Sequence, residues 1–187
     1  MSEEDESDII NRIGLKRFNH CIRVADTAYE LAEIHNVDKE KAYIAGLYHD
    51  CGKIRDLEVA KSEFKKAGLE LNDDLINSPQ IIHQYYGRYL AEKKYGIKDK
   101  DILNAICYHA TGRENMTDIE KIVFLADYIE PMRNFKDVEN ARILSKENLD
   151  KAMLYALDRT IEYLIAKGQY IGIETIISRN FFIRSDK

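Results

Sequence analysis

Six ionisable residues lie on helix faces that the spacing of apolar residues marks as buried. In the first predicted helix, for example, His20 is in register with Val24 and Leu31. A lone buried histidine is common, but a buried carboxylate is costly unless it is paired or binds a metal. The six lie on five predicted helices, which favours one shared metal site over separate coincidences. They are His20, His49, Asp50, His83, His109 and Asp127.

These six side chains are suited to binding a borderline transition metal. Four imidazoles and two carboxylates without thiolates suit Fe, Mn, Co, Ni or Zn, whereas Mg²⁺ and Ca²⁺ prefer more oxygen ligands. One bound ion lowers the pKa of its water to about 7, and two ions clamp the oxygens of an in-line phosphoryl displacement. No phosphate-binding GxxxxGK[ST] loop competes for this role. The set therefore predicts metal-dependent hydrolysis with one or two ions.

Three features close to these residues offer positive charge or hydrogen-bond donors. Lys53 follows Asp50 by three residues, so both lie on one helix side. Two interpretations of Lys53 are open: it neutralises a phosphate or assists a leaving group, or it is a solvated lysine. Arg17 precedes His20 by one turn, so it can lean over the same centre, although its position alone suits a solvent-facing arginine. Residues 111–113, Thr-Gly-Arg, offer backbone N–H groups and a guanidinium to a phosphate. A plain loop that ends a helix is equally consistent with that segment.

The elements that must position these residues are all helical. Apolar residues recur at helical spacing almost throughout, and no long stretch alternates as a strand would. Asp38 suits an N-cap, and Ser78-Pro79 suits the start of a helix. The sequence predicts a single-domain, all-α bundle over residues 14–187, with an acidic lead-in over residues 1–13. The predicted helices cover 16–35, 39–51, 57–67, 79–94, 99–110, 117–130, 137–144, 147–167 and 174–182.

The composition of the 187 residues argues against several classes of protein. Lys and Arg number 28 against 33 Asp and Glu, a net charge of −5 that does not suit coating nucleic acid or an anionic membrane. The three cysteines form no CxxC pair, unlike a disulfide framework or a thiolate zinc site. The N-terminus is acidic, unlike a signal peptide, and no apolar run approaches a membrane span. We expect a cytoplasmic protein without nucleic-acid or membrane partners, and a homodimer is left open.

Five segments of the sequence resemble one family of enzymes. They are KRFNHCIRVA at 16–25, LYHDCGK at 47–53, the helix around Ile82, His83 and Gly87, HATGR at 109–113, and KIVFLADYIEPMR at 121–133. Over about residues 14–182 the chain resembles the HD superfamily of metal-dependent phosphohydrolases. Within it, the chain is similar to the bacterial YqeK type, the symmetrical diadenosine tetraphosphatases.

This resemblance implies an HD-type helical bundle that cleaves diadenosine tetraphosphate into two ADP. It implies that a first metal, iron in this family, is bound by His20, His49, Asp50 and Asp127. His83 and His109 would complete a second site bridged by Asp50, or contact the phosphates. The catalytic residues that it implies are Asp50, Lys53, His83 and His109.

The resemblance also implies a set of residues that bind the nucleotide. They are Arg17, His83, His109, Ala110, Thr111, Arg113, Arg133, Tyr170, Ile171, Gly172, Ile173, Glu174 and Thr175. The last segment departs from the family, in which a His-Pro pair precedes Thr175 where this chain has Ile171-Gly172-Ile173. The departure concerns the nucleotide-binding end and leaves the metal ligands unchanged.

Other functions are compatible with the same ligand set. A related phosphohydrolase acting on dNTPs, nucleoside monophosphates or cyclic dinucleotides would carry it, because the ligands determine the chemistry and not the substrate. A non-catalytic module in which a metal only holds helices together is a different class. The loss of an HD residue would favour that module, and none is missing.

Overall fold

The chain folds into a bundle of helices, as seen in a computed structural model that describes residues 1–185. No strand occurs within that range, so the predicted all-α class is confirmed. The α-helices are α1 (Glu3–Ile13), α2 (Leu15–Ile34), α3 (Lys39–Tyr48), α4 (Leu57–Lys66), α5 (Asp73–Asn77), α6 (Ile82–Lys93), α7 (Lys100–Tyr108), α8 (Asp118–Ile129), α9 (Val138–Glu147), α10 (Leu149–Ala166) and α11 (Ile173–Ser185). A single 3₁₀ turn in that range, Pro79–Ile81, leads into α6.

Helix α2 forms the middle of the bundle, because α3 and α8 both pack along it. Its buried face carries small side chains, among them Ala25 and Ala28. On α3, Gly46 lies so close that a Cβ added to it would be 2.8 Å from the Cα of Ala25. Helices α6 and α7 pack on one side of this core, and α10 packs on α8. The helices that carry the six ionisable residues are thereby held in direct contact.

Polar side chains cap the starts of three core helices, α3, α7 and α8. The side chain of Asp38 accepts a hydrogen bond from Lys41 N at the start of α3, and Asp99 accepts bonds from the first turn of α7. Thr117 does the same for α8. Such caps satisfy backbone N–H groups that have no partner inside the helix. They set the register in which the site residues emerge at the other ends.

The acidic lead-in, residues 1–13, forms a helix that the sequence analysis does not predict. Ser2 caps α1, four acidic residues fill its first turn, and Ile9 is fully buried in the core. Asp8 accepts hydrogen bonds from Lys94 and Tyr95, both 2.7 Å long. Only a few apolar residues mark its periodicity, which is why the pattern gives so weak a signal. The boundary at residues 13 and 14 stays a prediction.

Two predicted helices are shorter than expected. The helix predicted over 39–51 ends at Tyr48, and that over 99–110 ends at Tyr108. His49 and His109 are therefore the residues that end these helices. Among the described helices, none combines the length and the apolar character needed to cross a membrane.

Candidate metal centre

Five helices bring all six predicted residues to one place, which we call the His–Asp centre. His20 lies within α2, His83 within α6 and Asp127 within α8, while His49-Asp50 and His109 directly follow α3 and α7. Three overlapping groups each have ligand atoms within 4.8 Å of one another. They are His20, His49 and Asp50; His49, His109 and Asp127; and Asp50, His83 and His109.

The carboxylate of Asp50 lies between the histidines. Its Oδ1 is 3.3 Å from Nε2 of His83 and 3.9 Å from Nε2 of His109. Its Oδ2 is 3.6 Å from Nε2 of His49. On the α8 side, Oδ1 of Asp127 is 3.0 Å from Nε2 of His20. The central position of Asp50 is that of a ligand able to serve either of two ions.

Each of the four histidines turns the same nitrogen toward the centre. The Nδ1 atoms of His49, His83 and His109 donate to the carbonyl three residues earlier, over 2.6, 2.7 and 2.8 Å. Nδ1 of His20 lies 3.2 Å from a carboxylate oxygen of Glu130. Because carbonyl oxygens only accept, the ring proton of His49, His83 and His109 lies on Nδ1, and the lone pair on Nε2 points to the centre. His20 lies between two carboxylates, with its Nε2 3.0 Å from Asp127.

The residues at the centre fit a divalent cation. Among the described residues, Nε2 of His20 and Nε2 of His49 are buried without a well-formed hydrogen bond. Nε2 of His83 and Nε2 of His109 lie 3.0 Å apart, although both Nδ1 atoms already carry the ring protons. Two facing lone pairs repel each other unless a cation lies near them. An ion bound by these nitrogens and Asp50 would satisfy all of them.

The protonation states are those in which metals are bound. Burial lowers the pKa of His49, His83 and His109, to about 4 for His109. Burial opposes ionisation of Asp127, but its interactions with His20, His49, Arg133 and His109 together outweigh that effect and hold its pKa well below the usual range. Neutral imidazoles and ionised carboxylates are therefore ready as ligands at neutral pH without first losing protons.

Two clefts meet at the His–Asp centre. Cleft A, of about 990 Å³, runs past His109 and Asp127 toward Tyr128, Phe135 and Tyr163. Cleft B, of about 1110 Å³, runs past His20 toward the α1–α2 junction and the start of α4. The two share Arg17, Lys53, Gln80, His83 and Arg133. A long substrate can therefore pass across the centre from one cleft into the other.

A family model described as the HD domain matches residues 17–132, which include all six residues of the centre. The chain belongs to the HD domain family. Divalent metal binding follows from that membership, and the geometry of the centre agrees with it.

Three similar proteins cover almost the whole of this HD protein. The protein named bis(5'-nucleosyl)-tetraphosphatase, symmetrical, of Halalkalibacterium halodurans is 38% identical over 171 residues, or 91% of each chain. The Bacillus subtilis protein of the same name is 36% identical over 181 residues, or 97% of each. A crystal structure from Clostridium acetobutylicum, named as a predicted HD superfamily hydrolase involved in NAD metabolism, is 45% identical. It has a TM-score of 0.93 and covers 99% of this chain and 97% of that one.

The structure brings three predicted cations to the mouth of the centre in this HD protein. Arg17 donates to Oδ2 of Asp50 over 2.9 Å. Arg133 donates to the backbone oxygen of Asp127 over 2.8 Å and also binds its carboxylate. Nζ of Lys53 lies 3.2 Å from Nδ1 of His83, and burial lowers its pKa. These side chains place positive charge next to the ligands and in both clefts.

Two residues of the HATGR segment lie away from the clefts. Arg113 forms a two-pronged ion pair with the buried Glu120, over 2.8 and 2.6 Å. The hydroxyl of Thr111 is buried and accepts a hydrogen bond from Gln84 over 3.0 Å. Only Ala110 of this loop lines cleft A beside His109. In this conformation the guanidinium and hydroxyl stabilise the loop and do not face the centre.

The predicted nucleotide-binding segment, Tyr170–Thr175, packs against the chain that leads into α6. Ile173 N donates to the carboxylate of Asp74 over 3.0 Å, and Glu174 accepts from Tyr85 over 3.0 Å. Gly172 is buried, and a Cβ added there would lie 3.5 Å from Ile81, which lines cleft A. Tyr170 is exposed, Ile171 is half-buried and Thr175 is buried. The segment therefore lies behind a wall of cleft A and not within it.

Glu130 is a functional residue that the sequence reasoning missed. Its carboxylate is buried, orients the ring of His20, and accepts from Arg23 over 2.7 Å and from Met132 N over 2.8 Å. The signal was present, since Glu130 follows Asp127 by three residues and directly precedes Pro131. Carboxylates that hold the second nitrogen of a ligand histidine tune both metal affinity and ligand basicity.

Replacing Glu130 with glutamine is expected to weaken metal binding and activity by about 10- to 100-fold, because an amide orients His20 less firmly. Titration of the metal into chelator-treated protein and the rate of hydrolysis measure the two effects. Glu30→Gln, an exposed change on the same helix as His20, is the matched control. Unchanged metal affinity in the Glu130 variant would show that the carboxylate only stabilises the fold.

The metal-free protein is expected to lose stability as the pH falls below about 6.5, the ordinary pKa of histidine. Between that pH and the folded value, about 4 for His109, the unfolded chain binds more protons than the folded one. Each buried histidine with a lowered pKa then costs about 1.4 kcal/mol of unfolding free energy per pH unit. Urea unfolding of chelator-treated protein between about pH 7.5 and 5 measures this slope. The slope should be shallower in His109→Asn, and a pH-independent stability would contradict the expectation.

Proposed function

We propose that this HD protein hydrolyses diadenosine tetraphosphate symmetrically, releasing two ADP. The observation that carries the proposal is the position of the His–Asp centre at the junction of two clefts, each large enough for a nucleotide. The names of the two curated relatives, which match this chain over nine-tenths or more of their length, support the same substrate. The cytoplasm is the location that suits this substrate. The three cysteines are free and buried, which agrees with that location.

We further propose that the native metal is iron. His20, His49, Asp50 and Asp127 would hold the first ion, and His83 and His109 would hold a second with Asp50 shared. The donor set of nitrogens and carboxylates supports this choice and also suits Mn, Co, Ni or Zn. The pair of facing Nε2 atoms, 3.0 Å apart, supports a role of His83 and His109 as ligands.

A metal held by these residues would lower the pKa of its water to about 7 and so supply hydroxide at neutral pH. Arg17 and Arg133 pair with Asp50 and Asp127 and orient their carboxylates. Both arginines also line the clefts, so their remaining N–H groups are open to phosphate oxygens. They would hold the central phosphates of the substrate over the histidines.

Lys53 would neutralise the departing phosphate. It lines both clefts beside His83, and its ammonium is largely desolvated, which strengthens its attraction for an anion. The leaving group is a phosphate, whose second pKa is about 6. It therefore needs a neighbouring positive charge more than it needs a proton. Cleft A adds the aromatic rings of Tyr128 and Phe135, 4.9 Å apart, as a surface for a base.

Product analysis tests the proposed function directly. Metal-loaded protein should convert diadenosine tetraphosphate into ADP alone, since breaking the bridge between the two central phosphates gives two equal halves. Release of ATP with AMP would show cleavage at an outer phosphate and contradict the proposal. Faster turnover of dNTPs or AMP in the same assay would instead identify a different member of this enzyme class.

A further inference from the structure

Cleft B is strongly basic in a protein whose net charge is −5. Seven Lys and Arg residues line it against two carboxylates, Asp56 and Glu130. Both carboxylates already have partners, because Asp56 caps α4 and Glu130 binds Arg23 and His20. The cleft therefore carries more positive than negative charge along its lining, and clefts of one sign attract ligands of the other.

Four of the seven cations form no direct salt bridge among the described residues. Lys16 and Arg55 are exposed and form no salt bridge there. Lys53 lies beside the ring of His83 and is attracted by Asp50 without a direct pair. Nε of Arg12 is buried without a hydrogen-bond partner in the same range. The other three, Arg17, Arg23 and Arg133, are paired with carboxylates of the centre and its surroundings. Lys and Arg side chains that form no direct salt bridge among the described residues thus line cleft B from the His–Asp centre to the α1–α2 junction.

The two clefts differ in the kind of group that they can hold. Cleft A is lined by the aromatic rings of Phe124, Tyr128, Phe135 and Tyr163. Among the residues that the structure describes, no Phe, Tyr or Trp lines cleft B. Aromatic faces suit a nucleobase, whereas guanidinium and ammonium groups suit phosphates.

We infer that cleft B is the binding site for the second nucleoside diphosphate of the substrate, with Lys16 and Arg55 contacting its phosphates. The inference rests on the proposed function and extends it, because it assigns each half of the dinucleotide to its own cleft. The His–Asp centre then lies over the middle of the polyphosphate. The polyphosphate is then cut in its middle because equal halves of the substrate lie on either side of the His–Asp centre.

The experiment counts bound ADP and measures the KM for diadenosine tetraphosphate in the metal-loaded protein. The unaltered protein should bind two ADP per chain in a calorimetric titration. The double variant Lys16→Glu, Arg55→Glu should bind one, and its KM should rise about ten-fold or more, as expected when charge-assisted contacts are lost. Lys65→Glu, Lys146→Glu reverses two other exposed, unpaired charges and should leave both values unchanged.

Three results would overturn the inference. One ADP per chain in the unaltered protein would mean that cleft B holds no nucleotide, even if diadenosine tetraphosphate is cleaved to ADP as proposed. Unchanged stoichiometry and KM in the double variant would remove Lys16 and Arg55 from the site. Tighter binding of a short oligoribonucleotide than of ADP, lost in the double variant, would identify the cleft as an RNA surface. Failure of the proposed function is seen separately, as the absence of ADP from diadenosine tetraphosphate.

Discussion

Replacing Asp50 with alanine is expected to lower kcat/KM for diadenosine tetraphosphate by at least about a thousand-fold, a loss of roughly 4 kcal/mol in transition-state stabilisation. Asp50 is buried and faces His49, His83 and His109, so its loss opens both candidate ion positions at once. The bound metal should fall with the activity. Elemental analysis of the purified variant and steady-state kinetics measure the two.

The matched control for Asp50→Ala is Asp26→Ala. Asp26 is exposed on α2 and forms no ion pair among the described residues, so both metal content and rate should be retained. An Asp50→Ala protein that is active and fully metal-loaded would contradict the ligand assignment. A folded variant that keeps its metal but is inactive would restrict Asp50 to a role in the chemical step.

Replacing Gly52 with alanine is expected to destabilise the fold by about 3 kcal/mol or more, because overpacking a rigid interior forces the backbone to move. A Cβ at Gly52 would be 2.3 Å from Gly87 N and 2.5 Å from His83 O. These neighbours are backbone atoms of α6, so no side chain can swing away. Urea unfolding measures the loss, and hydrolysis should fall as well, because α6 carries His83.

Gly68→Ala serves as the control for this steric effect. Gly68 has a φ of +75° and nothing within 4 Å of an added Cβ, so its replacement costs only the backbone strain, about 1 kcal/mol. If Gly52→Ala proved no less stable than Gly68→Ala, the close approach of the two backbones would not be an important contact. The two variants together separate crowding from conformational strain.

The helical bundle and the convergence of six ionisable residues were predictable because burial leaves a local signature. An apolar stripe that contains His20 or Asp127 predicts that this polar side chain is buried, whichever group binds it in the folded protein. The exact ends of α3 and α7 were not predictable in this way. Whether His49 continues a helix or ends it depends on the packing of α6 against Gly52, a contact between distant parts of the chain.

The carboxylate that each arginine pairs with could not be predicted from the sequence, for a related reason. A long, flexible side chain pairs with whichever carboxylate the fold brings near it, and spacing along the chain does not reveal which one. Arg113 binds Glu120, seven residues away, whereas Arg17 binds Asp50 from another helix. The Tyr170–Thr175 segment shows the same limit, since its partner Asp74 lies 99 residues from Ile173.

The attachment of ligand histidines to helix ends restricts how the chain can change its length. His49 and His109 each follow the last residue of a helix and bond to the carbonyl three residues earlier. One residue inserted into either turn would rotate the imidazole by about 100° and remove it from the centre. The exposed turn at Gly68 carries no such constraint. Insertions and deletions that survive selection should therefore accumulate there, while the turns after α3 and α7 keep their length.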